Sequence, residues 1–251
     1  LYSIIHLELR EEDGNRYWRS RLAIAKSVDG GLNWSMQGNI ITQHNEQRAG
    51  EDSNIQSGGL VVKDGYMYTW YLDRSSGDRE AAVARATLSD VLAGRTNQWY
   101  KYYNGKFSEP GLGGRYTPLN EWVGGHNSVS FNTYLNKFVV AQGWTQQVLL
   151  FSDDGITWGD RIPVEPGAGG ATQLYIYSVI TTPGFKENTS GQFFDVSYWG
   201  YFHSDPYRYT DTRYVRRFYI NESAMSDCLF GWAERTYPLL FAPAGTISAT
   251  Y

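Results

Sequence analysis

Short apolar runs, separated by clusters of Gly, Asn and Asp, recur along most of the chain. The segment 61–68, VVKDGYMY, shows the pattern well, because two β-branched or aromatic runs flank an Asp-Gly pair that is typical of a hairpin turn. Residues 134–137 predict a similar turn between apolar runs at 128–131 and 138–142. A helical signal is confined to 88–93, a single turn introduced by Ser-Asp at its second and third positions. The pattern therefore predicts an all-β chain.

The predicted strands fall into repeating groups of up to four, each group an antiparallel meander. From the inner to the outer strand, the groups are: first, 2–9, 22–25 and 39–42, without an innermost strand; second, 59–62, 66–72, 82–87 and 100–103; third, 128–131, 138–142, 148–151 and 161–164; fourth, 174–180, 193–201 and 214–220. Four-stranded meanders repeated around an axis form a β-propeller, in which only short edges are left unpaired.

These repeats predict one propeller domain over 1–251. Its blades are expected at roughly 1–45, 55–110, 126–166 and 172–222, with 223–251 as part of a closing blade. At a spacing of about 60 residues per blade, we expect a five-bladed ring whose N-terminal part is absent from this chain.

Two turns share a Ser-x-Asp pattern that ends in tryptophan: 27–34, SVDGGLNW, and 152–158, SDDGITW. In such a turn the Asp side chain accepts backbone N–H groups, and Gly takes a positive φ. The Trp is expected to fold back and pack between sheets. Both turns fall between the third and fourth strands of their own blade, so we assign them a structural role.

These turns resemble the Asp boxes of sialidases and other glycosidase-like propellers with bacterial-neuraminidase repeats. The segments 6–8, 23–31 and 84–86 also look like five-bladed, glycoside-hydrolase-like propellers, which include arabinan- and xylan-degrading enzymes. The resemblance implies a carbohydrate-active enzyme, a glycoside hydrolase that uses paired carboxylates on a polysaccharide or oligosaccharide. A sialidase is the less favoured enzyme, because the chain has no Phe-Arg-Ile-Pro segment.

Composition and charge favour some classes of binding partner and exclude others. Aromatic residues make up 16% of the chain, which supplies both core packing and flat surfaces on which a pyranose can stack. The net charge is −4 with no long basic run, so neither nucleic acid nor a membrane surface is expected as a partner. The chain has one cysteine, Cys228, and therefore no internal disulfide. We expect a secreted or extracellular protein, with two sequons at Asn188 and Asn221 and a removed leader before Leu1.

The Ser-x-Asp turns also mark one face of the propeller, so the loops on the opposite face, near the starts of the innermost strands, are where a site is expected. Those loops and strand ends carry the carboxylates Glu8, Asp52, Asp73 and Glu121. Glycoside hydrolysis needs one carboxyl as acid and another as base or nucleophile. Apolar neighbours favour Glu8 and Glu121 as the acid, whereas Asp52 and Asp73 suit the base.

Other candidates lie on the same face. His126 joins the catalytic candidates, and the predicted substrate-binding residues are His6, Arg10, Asn127, Trp122, Trp144, Trp199 and His203. The spacing of these side chains matches no metal signature, and no cofactor is indicated.

Two alternatives to a hydrolase stay open. A non-catalytic carbohydrate-binding propeller needs the Trp surfaces but no carboxylate pair. A polysaccharide lyase would use His with Tyr for β-elimination on a uronate polymer. Two carboxyls about 5 to 10 Å apart favour hydrolysis, whereas unsaturated, ultraviolet-absorbing products indicate a lyase.

Overall fold

The structure is a computed structural model that describes residues 1–10, 18–44, 55–76, 79–143, 146–164, 173–182, 184, 188–202 and 209–220. Over these residues the chain is mostly β, with four sheets of antiparallel strands that form the blades of a propeller. No helix in these ranges is long and apolar enough to cross a membrane.

Blade 1 contains β1 (Tyr2–Arg10), β2 (Trp18–Lys26) and β3 (Ser35–Ile41). Its first two strands pair without interruption. The outer strand begins earlier than the predicted 39–42, because two bulges in the β2–β3 ladder let the strand follow the twist of the sheet from residue 35 onward.

Blade 2 consists of β4 (Gln56–Lys63), β5 (Tyr66–Asp73), β6 (Glu80–Thr87), β7 (Tyr100–Tyr103) and β8 (Lys106–Pro110). The fifth strand was not predicted. It follows an Asn-Gly hairpin turn in which Asn104 and Gly105 both have positive φ, at 47° and 87°.

The predicted helical turn is confirmed as α1 (Leu88–Leu92), which begins at the predicted residue, but Thr87 and not the Ser-Asp pair caps it. Thr87 is the N-cap, and its side-chain oxygen accepts a hydrogen bond from the backbone N–H of Asp90 at 3.1 Å. A short 3₁₀ turn over Thr96–Gln98 then leads into β7.

Blade 3 consists of β9 (Ser128–Asn132), β10 (Lys137–Gln142), β11 (Val148–Ser152) and β12 (Ile162–Pro163). Blade 4 consists of β13 (Gln173–Thr181), β15 (Phe193–Phe202) and β16 (Tyr209–Tyr219). The connection between β13 and β15 contributes β14 (Thr189–Ser190), which pairs parallel to β9 of the neighbouring blade.

The core consists of apolar layers between successive blades, and the two-residue period of each strand produces them. In β10, Phe138 and Val140 pack with Trp70 of blade 2, whereas Val139 and Ala141 pack with blade 4. A third layer lies between blades 1 and 2.

Because blade 3 is covered on both faces and the inner strands β4, β9 and β13 are neighbours, the sheets stack around an axis. This confirms the all-β propeller for the four described blades. The fifth blade stays a prediction, since 223–251 lies outside the described residues.

The two Ser-x-Asp turns share a hydrogen-bond pattern. Asp29 accepts from the backbone N–H of Asn33 at 2.9 Å, which with the side-chain bonds from Asn33 and Ser27 lowers its pKa. Burial alone would raise the pKa of Asp154, but the N–H groups of Thr157 and Ile156 outweigh it and lower the pKa. Both carboxylates are therefore occupied by their own turns.

The tryptophans of the two turns differ. Trp158 is 2% exposed and packs edge-on against Trp70, as expected. The expectation was wrong for Trp34, which is 45% exposed. The first turn is one residue longer, and its indole N–H donates to the carbonyl of Gly31 within the turn at 2.9 Å instead of reaching a neighbouring sheet.

Candidate active site on the axial face

One group of ionisable and aromatic side chains gathers around His126, just before the inner strand β9 begins. We call it the axial cluster: His6, Glu8, Arg79, His126 and Tyr177. His6 and Glu8 lie two positions apart on β1 and therefore share a side of that strand. The Nδ1 atom of His6 is 3.8 Å from Oε1 of Glu8. The His6 side chain is partly buried, whereas that of Glu8 is exposed, so the pair presents its carboxylate to solvent.

His126 reaches the cluster through a glycine-dependent loop that precedes β9. Gly124 has φ of 135°, and a Cβ there would lie 2.7 Å from the backbone carbon of Tyr71. Gly125 also has positive φ, at 68°, and a Cβ there would lie 2.9 Å from the side chain of Leu72 on the same strand. Because only glycine permits this close approach, the loop lies flat on β5 and carries His126 toward the axis.

The ring of His126 meets the ring of Tyr177 edge to face, with centroids 4.6 Å apart and planes at 60°. Tyr177 has φ of +54°, a conformation that is uncommon for a residue with a bulky side chain. It lies at a bulge in β13, and the adjacent Ser178 donates from Oγ to Oε1 of Gln147 at 2.8 Å in the interior. The bulge therefore turns Tyr177 out of the strand's alternation and toward His126. Backbone strain of this kind is often found at functional sites.

The electrostatics of the cluster favour a neutral His126. The residue is exposed overall, but partial desolvation lowers the pKa of the His126 imidazole, the electrostatic effects of His6 and Arg79 lower it further, and Glu8 opposes them. A neutral imidazole has one nitrogen that accepts a proton. The cluster thus combines a proton acceptor, a phenol, a carboxylate and a cation, which are the groups that general acid–base chemistry uses.

The structure does not bring Asp73 to an exposed position. Its side chain is fully buried, accepts a hydrogen bond from the backbone N–H of Ser75 at 2.8 Å, and lies 3.8 Å from Nζ of Lys101. Burial raises the pKa of Asp73, although Lys101 and Ser75 pull it down. These contacts favour a structural ion pair over the predicted base role, because a general base needs access to the substrate.

Glu121 also has a partner away from the cluster. Nη2 and Nε of Arg161 donate to its Oε2 at 2.8 and 3.0 Å. The preceding Asn120 exchanges hydrogen bonds with the backbone of Trp158, which ends the second Ser-x-Asp turn. The structure therefore places Glu121 beside a turn of the opposite face, and its predicted acid role has no support from its surroundings.

The remaining candidates are spread more widely. Asn127 donates from Nδ2 to the carbonyl of Trp122 at 3.4 Å, and both side chains are partly buried. Trp199 is partly buried on β15. Arg10 is the last residue of β1, and the structure describes its backbone only. Asp52, Trp144 and His203 lie outside the described residues.

Sequence reasoning missed Arg79 and Tyr177. Arg79 lies just before β6, in the same loop that follows the predicted candidate Asp73. Its charge in that loop could have indicated a place in the site. The bulge that redirects Tyr177 has no marker in the sequence, since the segment reads as a regular strand. Among the described residues, no three His, Cys, Asp or Glu side chains lie close enough to hold a metal ion.

No family model matches the chain, and no curated protein does. Among solved structures it is similar to a proposed glycosidase from Bacteroides thetaiotaomicron, with 15% identity over 88% of this chain and a TM-score of 0.46. It is similar as well to a proposed glycoside hydrolase from Parabacteroides distasonis, with 14% identity over 87% of this chain and a TM-score of 0.48. It is also similar to a family 117 glycoside hydrolase from Zobellia galactanivorans, with 13% identity over 73% of this chain and a TM-score of 0.40. The chain spans 66%, 65% and 53% of the lengths of these three proteins.

Proposed function

We propose that this chain is a carbohydrate-active enzyme that cleaves glycosidic bonds of a polysaccharide or oligosaccharide at the axial cluster. The observation that carries the proposal is the meeting of His126 with Tyr177 beside the His6–Glu8 pair, on the face where the innermost strands begin. A polymeric substrate also fits the extracellular location that we propose for the protein.

Hydrolysis is the first candidate reaction, with Glu8 as the acid. Its carboxyl is exposed to an incoming sugar, and Nδ1 of His6 lies 3.8 Å from it. A second carboxylate is required to activate water or attack the sugar. We assign that role to Asp52, which precedes the inner strand β4 in the sequence.

Replacing Glu8 with Gln tests this assignment, because the amide keeps the size of the side chain but cannot donate an acidic proton. We expect release of reducing ends to fall by about 100-fold or more. Asp64→Asn is the matched control, since Asp64 is an exposed carboxylate paired with Lys63 at a hairpin turn. Equal activity of wild type and Glu8→Gln would remove Glu8 from the mechanism.

Elimination is the second candidate, and the contact of His126 with Tyr177 specifically favours it. In β-elimination a neutral base takes the proton next to a uronate carboxylate, a cation offsets the charge that develops there, and an acid protonates the leaving oxygen. Neutral His126, Arg79 and Tyr177 supply these three groups. A lyase would yield products that absorb in the ultraviolet, and Tyr177→Phe would abolish them while Glu8→Gln would not.

A further inference from the structure

A cleft lies on blade 4, at the end where β15 begins. Its volume is about 360 Å³, within the range of small-ligand sites. Strand β15 starts at the end where the inner strand β13 finishes. His126, the centre of the axial cluster, lies just before the inner strand β9 begins, and Tyr177 lies midway along β13. The cleft is therefore separate from the proposed active site.

Phe193 and Asp195 of β15 and Arg217 of β16 line the cleft, and Tyr219 of β16 lies next to Phe193 at its side. Phe193 lies opposite Tyr219, and Asp195 lies opposite Arg217. Because residues two apart on a strand share a face, the aromatic pair and the charged pair are adjacent on one surface.

The aromatic pair is available to a ligand. Phe193 is 55% exposed and Tyr219 is 37% exposed. Their ring centroids are 4.6 Å apart, with the planes tilted by 44°. The amide of Gln192 donates to the hydroxyl of Tyr219 at 3.2 Å, which fixes that ring. Exposed aromatic rings held in a fixed orientation suit the apolar face of a pyranose.

The charged pair has the geometry for sugar hydroxyls. Nε and Nη2 of Arg217 donate to the two carboxylate oxygens of Asp195 at 2.8 and 2.9 Å. Each carboxylate oxygen keeps a second lone pair for a hydroxyl donor. The two charges cancel, so the wall gives little attraction to an acidic sugar and favours a neutral one.

We propose that this cleft is an accessory binding site for a neutral pyranose unit of a saccharide, which holds the chain at a distance from the axial cluster. The proposal rests on the proposed function for its choice of a saccharide as ligand. Phe193 and Tyr219 stack on the sugar ring, and Asp195 accepts its hydroxyl groups.

Titration calorimetry with cellotetraose, xylotetraose and tetragalacturonate tests it. We expect binding of a neutral tetrasaccharide, and about 3- to 10-fold weaker binding after Phe193→Ala. Asp195→Asn, which keeps the shape of the side chain, is expected to weaken binding as well. Tyr100→Ala is the matched control, because Tyr100 is also 37% exposed but lies on blade 2. Circular dichroism checks that each variant is folded.

A preference for tetragalacturonate that Phe193→Ala abolishes, binding of neutral saccharides that Phe193→Ala and Asp195→Asn leave unchanged, or binding of none of the three saccharides would overturn the proposal. Self-association of the protein that Phe193→Ala abolishes, without any saccharide bound, would assign the face to a second copy instead. Cleavage assays keep the two proposals distinct. Binding that depends on Phe193 without any bond cleavage would refute the enzyme and retain the accessory site.

Discussion

The buried ion pair of Lys101 and Asp73 allows a sharp prediction. Both side chains are fully buried, and Nζ of Lys101 also donates to the carbonyls of Thr42 and Gly114 at 2.7 and 2.8 Å. Lys101→Met keeps most of the volume but leaves a buried carboxylate without its cation and two carbonyls without their donor. We expect the free energy of unfolding to fall by about 3 to 5 kcal/mol at pH 7, the range for breaking a buried pair. In a chain of this size that lowers Tm by about 6 to 20 °C.

The loss should depend on pH in a direction that the structure sets. Burial raises the pKa of Asp73 above the ordinary 3.8, so the folded state binds this proton more tightly than the unfolded chain does. A carboxyl shifted this way contributes stability below its unfolded pKa, and that contribution disappears as pH rises through the folded pKa. Without Lys101 the pKa rises further. The destabilisation by Lys101→Met should therefore be smaller at pH 5 than at pH 7.

Urea denaturation of wild type and variant at both pH values measures this difference. Lys137→Met is the control, because Lys137 forms an ion pair with Asp153 on the surface and its loss should cost about 1 kcal/mol or less. An equal loss of stability at pH 5 and pH 7, or a loss no larger than that of the control, would refute the account of the buried pair.

Two further predictions concern a turn and the axial cluster. Trp158→Ala should lower the free energy of unfolding by about 3 to 5 kcal/mol in urea denaturation, because that ring is buried between blades. Trp34→Ala should lower it by about 1 kcal/mol or less, and equal losses would contradict the packing. Arg79→Gln removes a cation that lowers the pKa of His126, so the acidic limb of the pH–rate profile should move to higher pH, and a shift to lower pH would contradict the assignment.

Most of the fold could be predicted from the sequence, because the strands of each blade follow local patterns of apolar and turn residues. Strand β5 (Tyr66–Asp73) matches the predicted 66–72 closely, since a run of apolar residues follows an Asp-Gly turn. The pairing of β14 with β9 was not predictable. It joins residues almost 60 positions apart, and the two-residue strand has no pattern of its own.

The site was only partly readable. Period-two alternation placed His6 and Glu8 on one side of β1, as the structure shows. The partner of Glu121 was not foreseeable, because Arg161 lies 40 positions away and reaches it only through the packing of the second Ser-x-Asp turn. Tyr177 escaped notice for another reason: a bulge, which side-chain chemistry does not specify, changed its direction.

The most direct test of the proposed active site is the rate of bond cleavage on a polysaccharide panel, followed by both reducing ends and ultraviolet absorbance. Wild type is compared with Glu8→Gln and Tyr177→Phe, each checked for folding. The account predicts cleavage by wild type and a loss of about 100-fold or more in at least one of the two variants. Full activity in both variants, or no cleavage of any polysaccharide by wild type, would contradict the assignment of the axial cluster as the active site.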